Sequence, residues 1–187
     1  MPELAKPEKI ELLRLARGAI EMLLRERKAE VRVAESLGLS RPGGAFVSLH
    51  RGGELRGCVG RILCADPLYR TVQEMAVAAA SQDFRFYPLA LEELIDLDIE
   101  ISALSVPEPI RPEEVEVGKH GLIVSRGLSR GLLLPQVAVQ YGWDAETFLN
   151  HTAEKAGLGP RDWKHPNSRI EAFTAEVFSE ESFKEPG

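Results

Sequence analysis

The chain has 187 residues, of which 44% are hydrophobic, 28% charged and 6% aromatic. That mixture predicts a soluble globular protein, because disordered chains carry too few apolar residues for their charge. The length allows about 70% of the unfolded chain's surface to be buried, in one good core or two modest ones. There is no run of 18 apolar residues to form a spanning helix, and the N-terminus interleaves charges with apolar residues, unlike a secretory signal. The expectation is a cytoplasmic protein with no membrane association. Lys and Arg number 23 against 29 Asp and Glu, a net charge of −6, which lacks the footprint of a nucleic-acid binder. Two cysteines, Cys58 and Cys64, are too few for a disulfide framework or a four-thiolate zinc site. His50, His120, His151 and His165 add no metal-ligand spacing, and neither GxxxxGK[ST] nor GxGxxG occurs. No metal, nucleotide or other cofactor is expected.

Pro7 to about Arg27 reads as an amphipathic helix. Leu12, Leu13, Ala16, Ile20 and Leu23 form its apolar stripe, with Arg14, Arg17, Glu21 and Arg25 on the other face. The period then changes to that of strands. Phe46–Leu49 and Leu55–Val59 are short and β-prone, and His50-Arg51-Gly52-Gly53-Glu54 between them is a hairpin signal, since both glycines accept positive φ. Asp66 as N-cap and Pro67 at the first helical position open a second helix. Its small-sided end, Ala76 to Ala80, lets a partner element come close. A loop, Asp83 to Pro88, follows. Leu97–Leu104 alternates cleanly, with Leu97, Ile99, Ile101 and Ala103 on one face and Asp98, Glu100 and Ser102 on the other. Pro107, Pro109 and Pro112 mark a connector, and a lobe boundary is expected near 105–113. Gly121–Ser125 and Gly131–Leu134 read as a second hairpin ended by Pro135. Asp144 caps a helix from Ala145 to Ala156, stopped by Gly157. Ile170–Phe178 is a closing strand and Ser179–Gly187 a frayed acidic tail. Hairpins outnumber parallel units, so the fold class is α+β, a mainly antiparallel sheet flanked by helices.

Leu55-Arg56-Gly57-Cys58-Val59-Gly60 is the most unusual stretch. Strand alternation puts Arg56 and Cys58 on one face, Leu55 and Val59 on the other, towards the core. Gly57 and Gly60 mark a bulge or a close approach by something else. A guanidinium beside a thiol favours the reactive thiolate, which makes Cys58 a candidate nucleophile or redox group. The plain alternative is a small buried Cys58 and a surface ion pair at Arg56. In the loop, Arg85 is either an anion-binding fork oriented by Asp83 or one half of a surface pair. Glu100 is either solvated or faces the same groove as Arg56. His120, between Gly118 and Gly121, reads as a turn residue with acid–base capacity, and is the one candidate partner for Cys58. Gln136 either rims a pocket or satisfies nearby backbone.

LRGCVG (55–60) resembles the LRGCIG signature of the AMME chromosomal-region domain family. The resemblance continues through GAFVSL (44–49), the Asp83/Arg85-Phe86 loop, IEIS (99–102), GKHGLIV (118–124), LLPQVA (133–138), GWDAETFL (142–149), KAG (155–157) and EVFSE (176–180). It implies one such domain over residues 1–187, a larger and a smaller lobe with a cleft between them, and Memo-like and radical-SAM proteins as partners by family context. It implies no particular reaction. The matching positions are Arg56, Gly57, Cys58, Gly60, Arg85, Glu100, His120 and Gln136. Phe84 stands where the family usually has proline, which puts loop rigidity in question, and Arg61 stands where a small residue is usual. The expected function is a cleft binding a small anionic ligand or a partner peptide through Arg56 and Cys58, with Gly57, Gly60, Arg85, Glu100 and Gln136 contributing. The alternative is a thiol-dependent enzyme with Cys58 and His120 as catalytic residues.

Overall fold

The computed structural model describes residues 3–26, 28, 30–62 and 65–183. They form two compact units, one of the described residues up to 104 together with those from 176 onward, and one of residues 105–175. Both are α+β with antiparallel strand pairing. Among the described residues, no helix is long and apolar enough to cross a membrane.

The first unit opens with helix α1 (Lys6–Glu26), whose stripe of Leu12, Ala16 and Ile20 is fully buried. The stripe is wider than its spacing predicts. Glu11 is buried with it, and its carboxylate accepts the Ser36 hydroxyl and the N–H groups of Glu35 and Ser36, which pins the irregular segment after the helix. Gln73 pins the same segment from the other side, bonding both the N–H and the C=O of Arg32 at 2.8 Å. Arg17 is also not on the solvent face. Its guanidinium bonds the Glu180 carboxylate and the carbonyls of Leu94 and Leu97. These partners lie far away in sequence, so helical spacing carries no sign of them.

Strands β1 (Gly44–Arg51) and β2 (Glu54–Arg61) make the first hairpin, closed by Gly52 and Gly53 at φ of 60° and 82°. Helix α2 (Leu68–Ser81) starts one residue later than expected, with Pro67 rather than Asp66 as its N-cap. A 3-10 turn, Leu91–Asp96, leads into strand β3 (Leu97–Leu104), which pairs with β1 on the side away from β2. β2 is therefore an edge strand. The inward residues Val47, Leu49, Ile99 and Ile101 pack with α1 and with Val72, Met75, Ala76 and Ala79 of α2 into one core.

The second unit holds the two-residue strand β4 (Glu108–Pro109), the hairpin of β5 (His120–Arg126) and β6 (Ser129–Leu133), helix α3 (Pro135–Tyr141), helix α4 (Ala145–Lys155) and most of strand β7 (Arg169–Ser179). β5 pairs with β6 on one side and β7 on the other, and β4 also pairs with β7. Its own core gathers Leu122, Val124, Ala138, Phe148, Leu149, Ala153 and Trp163. Asp144 caps α4 by accepting the Thr147 N–H at 2.8 Å. Pro135 does end the hairpin, but it does so by opening α3. With seven residues that helix is too short to show a period, so only the proline at its first turn betrays it. From Glu176 onward β7 belongs to the first unit. There Glu180 N–H bonds the Ile99 carbonyl at 3.0 Å and Phe183 packs on the core, so the described part of the tail is tied down rather than frayed.

Two glycines carry opposite expectations. Gly18 lies within α1 with nothing within 4 Å of where a Cβ would sit. Gly57 faces α2, and a Cβ there would stand 2.4 Å from the Ala79 carbonyl oxygen, a backbone atom that moves only with the helix. Gly18→Ala should stabilise the protein by about 0.4–1 kcal/mol through the unfolded chain's lost entropy. Gly57→Ala should destabilise it by about 1–3 kcal/mol. Urea unfolding midpoints of the two variants check both signs.

Candidate functional site

The LRGCVG segment is the greater part of β2. Its register breaks once: Leu49 pairs with Gly57 and His50 with Leu55, so Arg56 is an extra residue opposite none. That bulge corrects the simple alternation. Val59 still turns to the core, but Leu55, thrown out of phase, is 41% exposed. The close approach marked by Gly57 is made by the protein's own helix α2, and the one marked by Gly60 by Phe46, whose ring would lie 2.1 Å from a Cβ there.

Arg56 does not sit with the thiol. Its Nε and Nη2 fork the Glu93 carboxylate at 2.8 and 2.9 Å, and its Nη1 donates to the Tyr87 carbonyl at 3.0 Å. The guanidinium lowers the Glu93 pKa, with help from the Ala90 N–H and against the opposing pull of burial. The expected Arg56–Cys58 thiolate pair is thus replaced by a bidentate ion pair to a residue 37 positions away. Sequence spacing holds no signal for that partner.

Cys58 is half-buried, and its Sγ lies 3.3 Å from the Ser48 hydroxyl, which donates to it. Ser48 opposes Cys58 on one side and Glu100 on the other, so the three side chains form a row across β2, β1 and β3 on the face turned away from the helices. Sequence left open whether Glu100 is solvated or faces the groove of Arg56; the register aligns it with Cys58 instead, Arg56 standing in the bulge. Among the described residues the Glu100 carboxylate has no hydrogen-bond or ion-pair partner, and the residue is half-buried. Ser48 is the member of the row that spacing missed; a GAFVSL strand with one polar residue among apolar ones was the available sign. Cys64, the natural comparison thiol, lies outside the described residues.

The outward main chain of Cys58 is spoken for as well. Asp83, buried, accepts its N–H at 2.9 Å, and Arg85 Nη2 donates to its carbonyl at 3.3 Å. Arg85 Nε and Nη2 in turn bond the two oxygens of Asp83 at 2.9 and 2.7 Å. Of the two readings left open for Arg85, the contacts are those of an ion pair: the carboxylate that its fork holds is that of Asp83, which is itself buried. The pair seals the open edge of β2 at its centre, which edge strands need. The Arg85 guanidinium, then the N–H groups of Cys58 and Arg85, hold the Asp83 carboxyl far below the ordinary carboxylate range against the pull of burial.

The remaining candidates belong to the second unit. His120 opens β5 rather than sitting on a turn, pairs with Thr174 in register, and accepts the Glu116 N–H on Nδ1 at 3.1 Å. Burial first, and the Lys119 charge second, push its pKa down, so the ring is neutral near pH 7. Gln136 lies in the first turn of α3 and is exposed. Among the described residues, no three His, Cys, Asp or Glu side chains stand together as metal ligands do.

A depressed folded-state pKa means that the unfolded chain binds the proton more readily, so Asp83 contributes stability that is whole at neutral pH and drains as pH falls below the carboxylate range. Asp83→Asn keeps an acceptor for the Cys58 N–H but no charge. Its stability should therefore fall less steeply than the parent's below about pH 4, as read by urea midpoints across an acid series.

Comparison with known proteins follows the same chain almost end to end. A chain from Methanothermobacter thermautotrophicus is 43% identical over 187 residues, covering 95% of this chain and 97% of that one. One from Aquifex aeolicus is 40% identical, covering 94% and 93%. The crystal structure of an uncharacterized protein from Pyrococcus horikoshii superposes with a TM-score of 0.75 at 42% identity, covering 91% of this chain and 90% of that one. The AMMECR1 family pattern matches residues 13–178. With the signature strand, both hairpins and α4 all inside the matched span, the chain belongs to the AMMECR1 family.

Proposed function

We propose that the protein is a binding module rather than an enzyme, and that the row Cys58–Ser48–Glu100 is the face that holds its ligand. One observation carries this reading: both guanidinium groups beside the signature are neutralised by carboxylates of the same unit, while Glu100 in the row is not paired. An anion held by the row would have to compete with Glu93 for Arg56 and with Asp83 for Nε and Nη2 of Arg85. Each of those contacts is bidentate, which makes it the stronger class of ion pair. The groups left to a ligand are a carboxylate acceptor, a hydroxyl and a thiol. They suit a small molecule that brings hydrogen-bond donors or a positive charge, and this replaces the anionic ligand expected from Arg56. Arg56, Gly57 and Arg85 then support the strand, and Cys58, Ser48 and Glu100 touch the ligand.

The thiol-dependent alternative keeps one supporting contact, the Ser48 hydroxyl donating to Sγ. Among the described residues of its own unit no base is bonded to the sulfur, and the charged groups at the Cys58 peptide, Asp83 and Arg85, are tied to each other.

The two readings part on two variants. After incubation with a metabolite extract, native mass spectrometry should find the same retained mass on the parent protein and on Cys58→Ser. Glu100→Gln should lose about tenfold or more in occupancy, as when a charged hydrogen bond is removed. A molecule that the parent converts but Cys58→Ser retains unchanged would establish the thiol-dependent reading instead.

A further inference from the structure

The loop of residues 83–88 is firmly held yet displays two large rings. Asp83 and Arg85 are locked to the Cys58 peptide, Phe86 N–H bonds the Asp83 carbonyl at 3.1 Å, and the Tyr87 carbonyl accepts Arg56. Leu89, just beyond, is buried and bonds the Ala80 carbonyl at 2.7 Å. These clamps supply the order that a proline at 84 would otherwise bring. Phe84 is nevertheless 96% exposed and Tyr87 91% exposed. With Leu55, exposed through the bulge, they follow the open edge of β2: Tyr87 sits beside position 56 and the Asp83–Arg85 pair beside position 58. Two strand residues span about 7 Å, so the strip is narrow and linear.

Rings on a mobile loop would be unremarkable. On a clamped loop they are preorganised, so an incoming partner pays little ordering entropy to use them. Aromatic side chains and arginine are also the residues that dominate protein contact surfaces. The charges here select the partner further. Arg56 is fully committed to Glu93 and Tyr87, whereas Arg85, 47% exposed and stacked 5.5 Å from the Phe86 ring, has no hydrogen-bond partner for Nη1 among the described residues. A net charge of −6, with a single open guanidinium edge among the strip's described residues, makes an acidic lipid surface a poor match.

We infer that this strip, Leu55, Phe84 and Tyr87 with the outer edge of Arg85, docks a linear segment of another protein that carries apolar side chains next to a carboxylate. The apolar groups cover the two rings and the carboxylate meets Arg85 Nη1. The inference goes beyond the small-ligand reading of the Cys58–Ser48–Glu100 row and uses different side chains.

Selection of random twelve-residue peptides displayed on phage against the whole native protein tests it. The recovered peptides should share an apolar pair beside Asp or Glu. By fluorescence anisotropy, a synthetic copy should bind the Phe84→Ala/Tyr87→Ala variant about tenfold or more weakly, and exchanging its acid for the amide should weaken binding severalfold. Both rings are solvent-exposed, so the variant should melt like the parent. Glu100→Gln should leave the affinity unchanged, which separates this result from the fate of the row. Three outcomes would overturn the inference: peptides that bind the double variant equally well, a parent dimer in sedimentation that the double variant abolishes, or flotation with phosphatidylcholine vesicles that it abolishes.

Discussion

Much of the first unit depends on the missing side chain at position 57. Because β2 carries a glycine there, the Ala79 carbonyl of α2 can stand where a Cβ would lie 2.4 Å away. The helix therefore ends close over the strand, and the next residues deliver Asp83 to the Cys58 N–H at 2.9 Å. Moving α2 outward to ordinary contact distance would stretch that bond beyond hydrogen-bond length. The edge of β2 would then be open, and the loop carrying Phe84 and Tyr87 would lose its anchor. Small residues from Ala76 to Ala80 are the helix's half of the same bargain, since a larger side chain at 79 would hold the strand away.

A second constraint is electrical. Three guanidinium groups, on Arg17, Arg56 and Arg85, are each forked by a carboxylate, and each also bonds a main-chain carbonyl. Such pairs join elements that hydrophobic packing alone would leave free to slide: α1 to the end of the chain, β2 to the turn before β3, and the loop to β2. The consequence for function is that the signature arginine is a strut. Its charge is consumed internally, and the chemical character of the exposed face passes to Glu100, Ser48 and Cys58. In the second unit His120 is spent in a similar way, with Nδ1 engaged by the Glu116 N–H and the ring kept neutral by burial.

The amino-acid sequence by itself determined the local elements, because their causes are local. Paired glycines at 52 and 53 allow a two-residue hairpin, alternation from Leu97 to Leu104 makes a half-buried strand, and Asp144 supplies an acceptor to the first turn of α4. It also marked the LRGCVG strand as the place to look. Tertiary structure decided everything that depends on pairing across sequence distance. The bulge at Arg56 exists only because β1 lies opposite, and it moves Leu55 out of the core. Glu93 captures Arg56, Asp83 captures Arg85, and Glu100 joins Cys58 through β1, from which its own strand β3 is far removed in sequence. Helix α3 escaped notice for the converse reason, since seven residues give too few turns for a period to register. Propensity and spacing act over one or two turns of chain, whereas the partner of a charge is chosen by whichever segment the fold brings within about 3 Å.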